Sequence, residues 1–128
     1  MPSTSPVALL TGSATGVGAA VALQLARRGH HVVVNYSRSA DDAQASAAAC
    51  TAAGADVLCL QGDVAEDAEC RALVQAAVDR WGRLDVLVNN AGITSFAGSA
   101  NWDALDAQTF QRILAVNTVG AFQMVRAA

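Results

Sequence analysis

Thr11-Gly12-Ser13-Ala14-Thr15-Gly16-Val17-Gly18 closes the apolar run Val7-Ala8-Leu9-Leu10 and opens an Ala-rich stretch that ends at Arg27-Arg28-Gly29. Only glycine turns with positive φ at little cost and lets another group approach the main chain without a Cβ in the way. Glycines spaced Gly12-x-x-x-Gly16-x-Gly18 at a strand-to-helix junction leave N–H groups unblocked at the positive end of a helix, where a diphosphate docks. The stretch therefore reads as a dinucleotide site built from Gly12, Ala14, Thr15, Gly16, Val17 and Gly18. Its spacing differs from G-x-G-x-x-G, but the same mechanics apply: a tight turn, close backbone approach and close helix packing. A ligand-free Gly-rich turn is the competing reading, and the strand before and helix after weigh against it.

Around this junction, apolar runs alternate with helix-like stretches, the pattern of right-handed βαβ units and a parallel sheet. Four strands fall near Val7 to Thr11, His31 to Tyr36, Asp56 to Gln61 and Leu84 to Asn89. Each is apolar without alternation, as expected where helices cover both faces. The first helix, Val17 to Arg28, places Val17, Val21 and Leu25 on one stripe and stops at Gly29. A second starts at Ser39, with Asp41 and Asp42 in its first turn, and stops at Gly54. The third is clearly amphipathic, with Cys70, Leu73, Val74, Ala77, Val78 and Trp81 on one face, Glu66 and Asp67 at its start and Gly82 beyond its end. Ile93 to Asn101 reads as an exposed loop. A last helix is expected from Asp106 to the end, with Phe110, Ile113, Leu114, Ala121 and Met124 on one face and Asn117 within that stripe.

Composition narrows the function. The 128 residues are 53% hydrophobic, with net charge −3 and a pI near 5.1, which gives nucleic-acid or anionic-membrane binding little support. No apolar run reaches the length of a bilayer span, and Met1 to Pro6 lacks the features of a signal peptide. A cytoplasmic enzyme is the expectation. Cys50, Cys59 and Cys70 sit in apolar patterns and read as reduced packing residues, and no spacing suggests a metal site. His30 and His31 read as surface or strand-end residues.

The chemistry-bearing residues gather at expected strand ends. Asn35-Tyr36-Ser37-Arg38 brings no acid to the end of the second strand, where a carboxylate would accept from a ribose 2′-hydroxyl. Ser37 and Arg38 instead suit a 2′-phosphate, unless Arg38 is only a solvated loop residue. Asp63, followed by Val64, suits either a helix cap or an acceptor for an adenine amine, and the two roles are compatible. Asn90-Ala91-Gly92 follows the fourth strand and would set small residues against the adenosine half. Asn117, an amide on an apolar stripe, requires a hydrogen-bond partner, since an unpaired buried amide costs about 1–3 kcal/mol. On its own it reads as structural.

Together these motifs resemble the N-terminal half of the short-chain dehydrogenase/reductase family, in texture close to the 3-oxoacyl-acyl-carrier-protein reductases. Thr11 to Gly18 is similar to the family's T-G-x-x-x-G-x-G, Asp63-Val64 to its adenine-contact pair, Asn89 to Gly92 to its N-N-A-G, and Asn117 to the asparagine of its Asn-Ser-Tyr-Lys set. Ala65 stands where a capping Ser or Thr is common. Ala14-Thr15 stands where the NADP-preferring members often carry Ser-Arg.

The resemblance implies an α/β Rossmann-type fold: the strand 3-2-1-4 part of a doubly wound parallel sheet in a three-layer sandwich, with residues 1–128 as one incomplete NAD(P)-binding domain. It implies NAD(P)-dependent hydride transfer between a nicotinamide cofactor and a small-molecule carbonyl or alcohol substrate, and Ser37 and Arg38 make NADP(H) the preferred cofactor with NAD(H) as the alternative. It gives Asn117 a proton-relay role through a water and a lysine. The family's Ser and Tyr-x-x-x-Lys are absent from this sequence, so the chain alone is expected to be inactive. It is expected to be completed by a missing C-terminal half or another chain, and to work as a homo-oligomeric dimer or tetramer. A rival reading from another class is a non-catalytic nucleotide sensor or scaffold that keeps only the Rossmann half.

Overall fold

The computed structural model describes residues 1–128. Strands β1 (Val7–Leu10), β2 (His31–Tyr36), β3 (Val57–Gln61) and β4 (Val86–Val88) form one parallel sheet in the order β3-β2-β1-β4. Helices α1 (Gly16–Arg27) and α2 (Ala40–Ala52) cover one face, and α3 (Asp67–Trp81) lies on the other. The parallel sheet is the one expected from the alternating pattern, and the three-layer, doubly wound strand order is the one the family resemblance implies.

The uniform apolarity of β1 and β2 follows from this sandwich. Val7, Leu9 and Val33 point into the α3 layer, while Ala8, Leu10, Val32 and Val34 point into the α1 and α2 layer. Successive side chains alternate faces, and both faces are dry. Cys50 and Cys70 are buried, one in each layer, and burial pushes the thiols of Cys50, Cys59 and Cys70 up. No helix is long and apolar enough to cross a membrane.

Register brings the site together. Leu10 pairs with both Val34 and Val88, so β1, β2 and β4 end at one edge of the sheet. The Gly-rich loop, Ser37-Arg38 and Asn90-Ala91-Gly92 all leave from that edge.

Two expectations about helix faces need correction. Helix α1 meets the sheet through Gly18, Ala22 and Ala26, whereas Val17 is 72% exposed and Val21 and Leu25 are half-buried. The helix lies so close to the sheet that only small residues fit beneath it, which turns the larger ones outward.

The last helix is not continuous. It consists of α4 (Ala107–Leu114), a π-helical turn (Ala115–Val119) and α5 (Gly120–Ala127). Asp106 caps α4 by accepting the Thr109 N–H at 2.7 Å, and the Gly120 N–H reaches back five residues to the Ala115 carbonyl. The wider turn redirects the inward face through Val116, Gly120, Gln123 and Met124. Of the stripe expected on Phe110, Ile113, Leu114, Ala121 and Met124, only Met124 is fully buried, and Phe110 and Leu114 are 59% and 46% exposed.

Gly120 sits at a close contact on this inward face. A Cβ there would stand 2.5 Å from Val64 Cγ2, so the backbone of α5 presses directly on the residue after Asp63. Gly120→Ala is expected to destabilise the fold by about 1–3 kcal/mol through overpacking. Urea unfolding would show a lower midpoint with an unchanged slope, and an unchanged midpoint would contradict the contact.

Candidate functional site: the loop at the sheet edge

The loop from Gly12 to Gly18 is held by polar side chains behind it. Asn35, 2% exposed at the end of β2, accepts the Gly12 N–H through Oδ1 at 3.1 Å. Its Nδ2 lies 3.3 Å from the Leu60 carbonyl and 3.2 Å from that of Gly62, which ties the loop to the end of β3. Ser13 completes the join: its N–H donates to the Asn35 carbonyl at 2.9 Å, and its Oγ accepts the Asn35 N–H at 3.0 Å. From the other side, Thr11 Oγ1 accepts the N–H groups of Asn90 and Ala91 at 3.1 and 3.0 Å, and Asn90 Nδ2 donates to the Gly12 carbonyl at 2.9 Å.

Each glycine has a separate mechanical reason. Gly12 has φ +61°, and a Cβ on it would lie 2.8 Å from Ala91 Cα. At Gly18 a Cβ would lie 2.5 Å from both Asn90 Nδ2 and the Gly12 carbonyl, so the start of α1 packs directly on the loop. Gly16, at φ +58°, faces open space. The roles of tight turn, open approach and close packing are thus divided among the three.

The loop's hydrogen bonds then separate two sets of amides. Those of Gly12 and Ser13 are already committed to Asn35, so they brace the loop and do not face a ligand. The N–H groups of Ala14, Thr15, Gly16, Val17 and Gly18 have no protein acceptor, and Thr15 makes no side-chain cap. They lie at and just before the start of α1, the end where the helix dipole is positive.

An adjoining cleft of about 90 Å³ is lined by Gly12, Ser37, Asp63, Val64, Ala91, Gly92 and Arg112 among others. This is small beside the roughly 300–1,000 Å³ of a whole ligand pocket, so it accommodates one part of an extended molecule. Arg38 is exposed, its side chain makes no hydrogen bond or ion pair, and it lines a neighbouring groove with Thr94 and Arg112.

Asp63 does not cap α3 itself. The N-cap position is Glu66, and Asp63 Oδ1 instead accepts the Ala65 N–H at 3.0 Å in the turn ahead of the helix, because α3 begins four residues later than Asp63. Its Oδ2 accepts from Arg112 at 2.8 Å. Burial opposes its charge, but the Ala65 amide, Arg112 and the more distant Arg38 together hold the carboxyl below the usual aspartate range.

Asn117 lies in the π turn, and its side chain is exposed rather than set in an apolar stripe. The partner its amide requires is the main chain of Ile93: Oδ1 accepts the Ile93 N–H at 2.8 Å, and Nδ2 donates to the Ile93 carbonyl at 2.9 Å. Asn117 therefore clamps the segment after β4 to the last helix.

The family model described as short chain dehydrogenase matches residues 6–128. The chain belongs to the short-chain dehydrogenases. It is 45% identical over 124 residues to a Streptomyces violaceoruber protein named as ketoacyl reductase 2 of the granaticin polyketide synthase, covering 97% of this chain and 48% of that one. A short-chain dehydrogenase/reductase of Serratia marcescens superposes with a TM-score of 0.88 at 38% identity, over 100% of this chain and 51% of that one. One from Burkholderia cenocepacia, solved in complex with NADP, gives 0.89 at 38% identity, over 96% and 49%. The chain thus spans about half the length of the relatives it matches. Among short-chain dehydrogenases, this chain is an oxidoreductase-family member with a Rossmann-like sheet.

Three residues of the loop's bracing were not singled out by the sequence reading: Thr11, Ser13 and Asn35. The available signal was a polar residue closing an otherwise apolar strand. Asn35→Asp retains an acceptor for Gly12 but cannot donate to the Leu60 and Gly62 carbonyls. It is expected to cost about 3 kcal/mol or more of stability, measured by urea unfolding, and an unshifted midpoint would contradict the bracing role.

Proposed function

We propose that this chain forms the cofactor-binding part of an NAD(P)-dependent oxidoreductase that moves hydride between a nicotinamide and a carbonyl or alcohol substrate. The observation that carries this reading is the run of unpaired N–H groups from Ala14 to Gly18 at the positive end of α1. A cofactor diphosphate supplies the acceptors those donors lack. The adenosine half would lie against Asp63, Val64, Asn90, Ala91 and Gly92, and the ribose beside Ser37 and Arg38.

The bound cofactor would supply hydride at C4 of its nicotinamide. This chain's own residues bind and orient it. Asn117 has both ends of its amide engaged by Ile93, so we assign it the task of fixing the wall of the cleft after β4. The substrate and the groups that exchange its proton are assigned to the remainder of the protein, in line with a chain about half as long as its relatives.

NADP(H) is the preferred cofactor in this reading, and NAD(H) is the weaker one. Arg38 is a cation without a protein partner, and β2 ends in Asn35 and Tyr36 without a carboxylate that would repel a 2′-phosphate. The NADP-bound Burkholderia cenocepacia structure supports the same choice. Arg38→Ala is expected to weaken NADPH binding by about 1.5–3 kcal/mol and leave NADH almost unchanged, as read by calorimetric titration. Equal losses for the two cofactors would contradict the preference.

A further inference from the structure

A carboxylate near a phosphate-binding groove opposes the phosphate unless something cancels its charge. Asp63 is the one acidic residue lining either the inner cleft or the groove that holds Arg38. Arg112, five residues after the start of α4 at Ala107, is the charged residue that lines both. Its Nη2 donates to Asp63 Oδ2 at 2.8 Å while Asp63 Oδ1 is held by the Ala65 amide at 3.0 Å. The carboxylate is therefore fixed in orientation, with lone pairs remaining on each oxygen, and its charge is cancelled from the side of the Arg38 groove. With side chains 42% and 27% exposed, the pair is open enough to face a ligand and sheltered enough for its charges to be felt.

We propose that Arg112 is a specificity-determining residue for the nucleotide: by pairing with Asp63 it leaves Arg38 unopposed, so that a ribose carrying a 2′-phosphate is accepted at this edge. The inference rests on the cofactor reading above and deepens it. With Arg112 in place, the residues lining the cleft and the groove carry two guanidiniums against one carboxylate, while the Glu69 carboxylate, which accepts the Asp63 N–H at 3.1 Å, lines neither. Without it, Arg38 and Asp63 cancel, and the groove loses its attraction for a dianion while retaining Asp63 as an acceptor for a neutral adenosine. Arg38 supplies the contact, and Arg112 sets the charge background against which that contact acts.

The test uses 2′,5′-ADP and 5′-AMP as probes, which differ by the one phosphate in question. Dissociation constants are measured by calorimetry for the unmodified protein, Arg112→Gln, Arg112→Lys, Asp63→Asn and the Arg112→Gln/Asp63→Asn pair, each checked for an intact fold by circular dichroism. Arg112→Gln is expected to weaken 2′,5′-ADP about tenfold more than 5′-AMP, in keeping with the loss of one charge-assisted pair. Adding Asp63→Asn should restore most of the discrimination, because the uncancelled carboxylate is gone. Arg112→Lys, which keeps the charge, should retain it, and the Arg112→Gln effect should shrink at high ionic strength.

Equal weakening of both probes by Arg112→Gln, or a double variant no better than the single one, would overturn the inference while leaving the cofactor reading standing. Failure of the unmodified protein to bind either probe would overturn both.

Discussion

A buried amide, that of Asn35, is the constraint on which the site depends. It sits at the end of β2 where three strand ends and the Gly-rich loop converge, and it bonds to Gly12 on one side and to Leu60 and Gly62 on the other. A polar group so deeply buried is tolerated only when its valences are met, and here meeting them fixes the turn. Once Gly12 and Ser13 have spent their N–H groups on Asn35, the chain runs into α1 with the amides from Ala14 to Gly18 left without a protein acceptor. The bracing and the run of free amides are two results of the same hydrogen-bond allocation.

The opposite wall of the cleft is placed by packing. Gly120 lets α5 press against Val64, the π turn adjusts the helix so that Val116 and Met124 stay buried, and Asn117 is left at the level of Ile93. Arg112, on the helix before that turn, reaches back to Asp63. A single element thereby ties down the segment after β4 and the acidic residue after β3. The functional edge is bounded on one side by strand ends joined through Asn35 and on the other by a helix joined through side chains.

What was legible in the sequence was local in origin. The strands, the glycine junction and the face of α3 follow from composition within a few residues, and the parallel sheet follows from the βαβ alternation. Even there Val78, placed on the α3 face, is 39% exposed. The α1 stripe was misread because a template that seeks large apolar residues overlooks Gly18, Ala22 and Ala26, which face the sheet because they are small. The last helix was misread because a 3.6-residue period carries no information about a π turn. Asn35 and Arg112 escaped because their partners lie on other strands and helices, and no spacing along the chain reveals a bond from α4 to the turn after β3.

The account stands most directly on which amides are free. In a nitrogen-15 labelled sample titrated with NADPH, the N–H resonances of Ala14, Thr15, Gly16, Val17 and Gly18 are expected to shift strongly, while those of Gly12 and Ser13, held by Asn35, move little. Saturating NADPH that leaves Ala14 to Gly18 unmoved, or that perturbs Gly12 and Ser13 in their place, would contradict it.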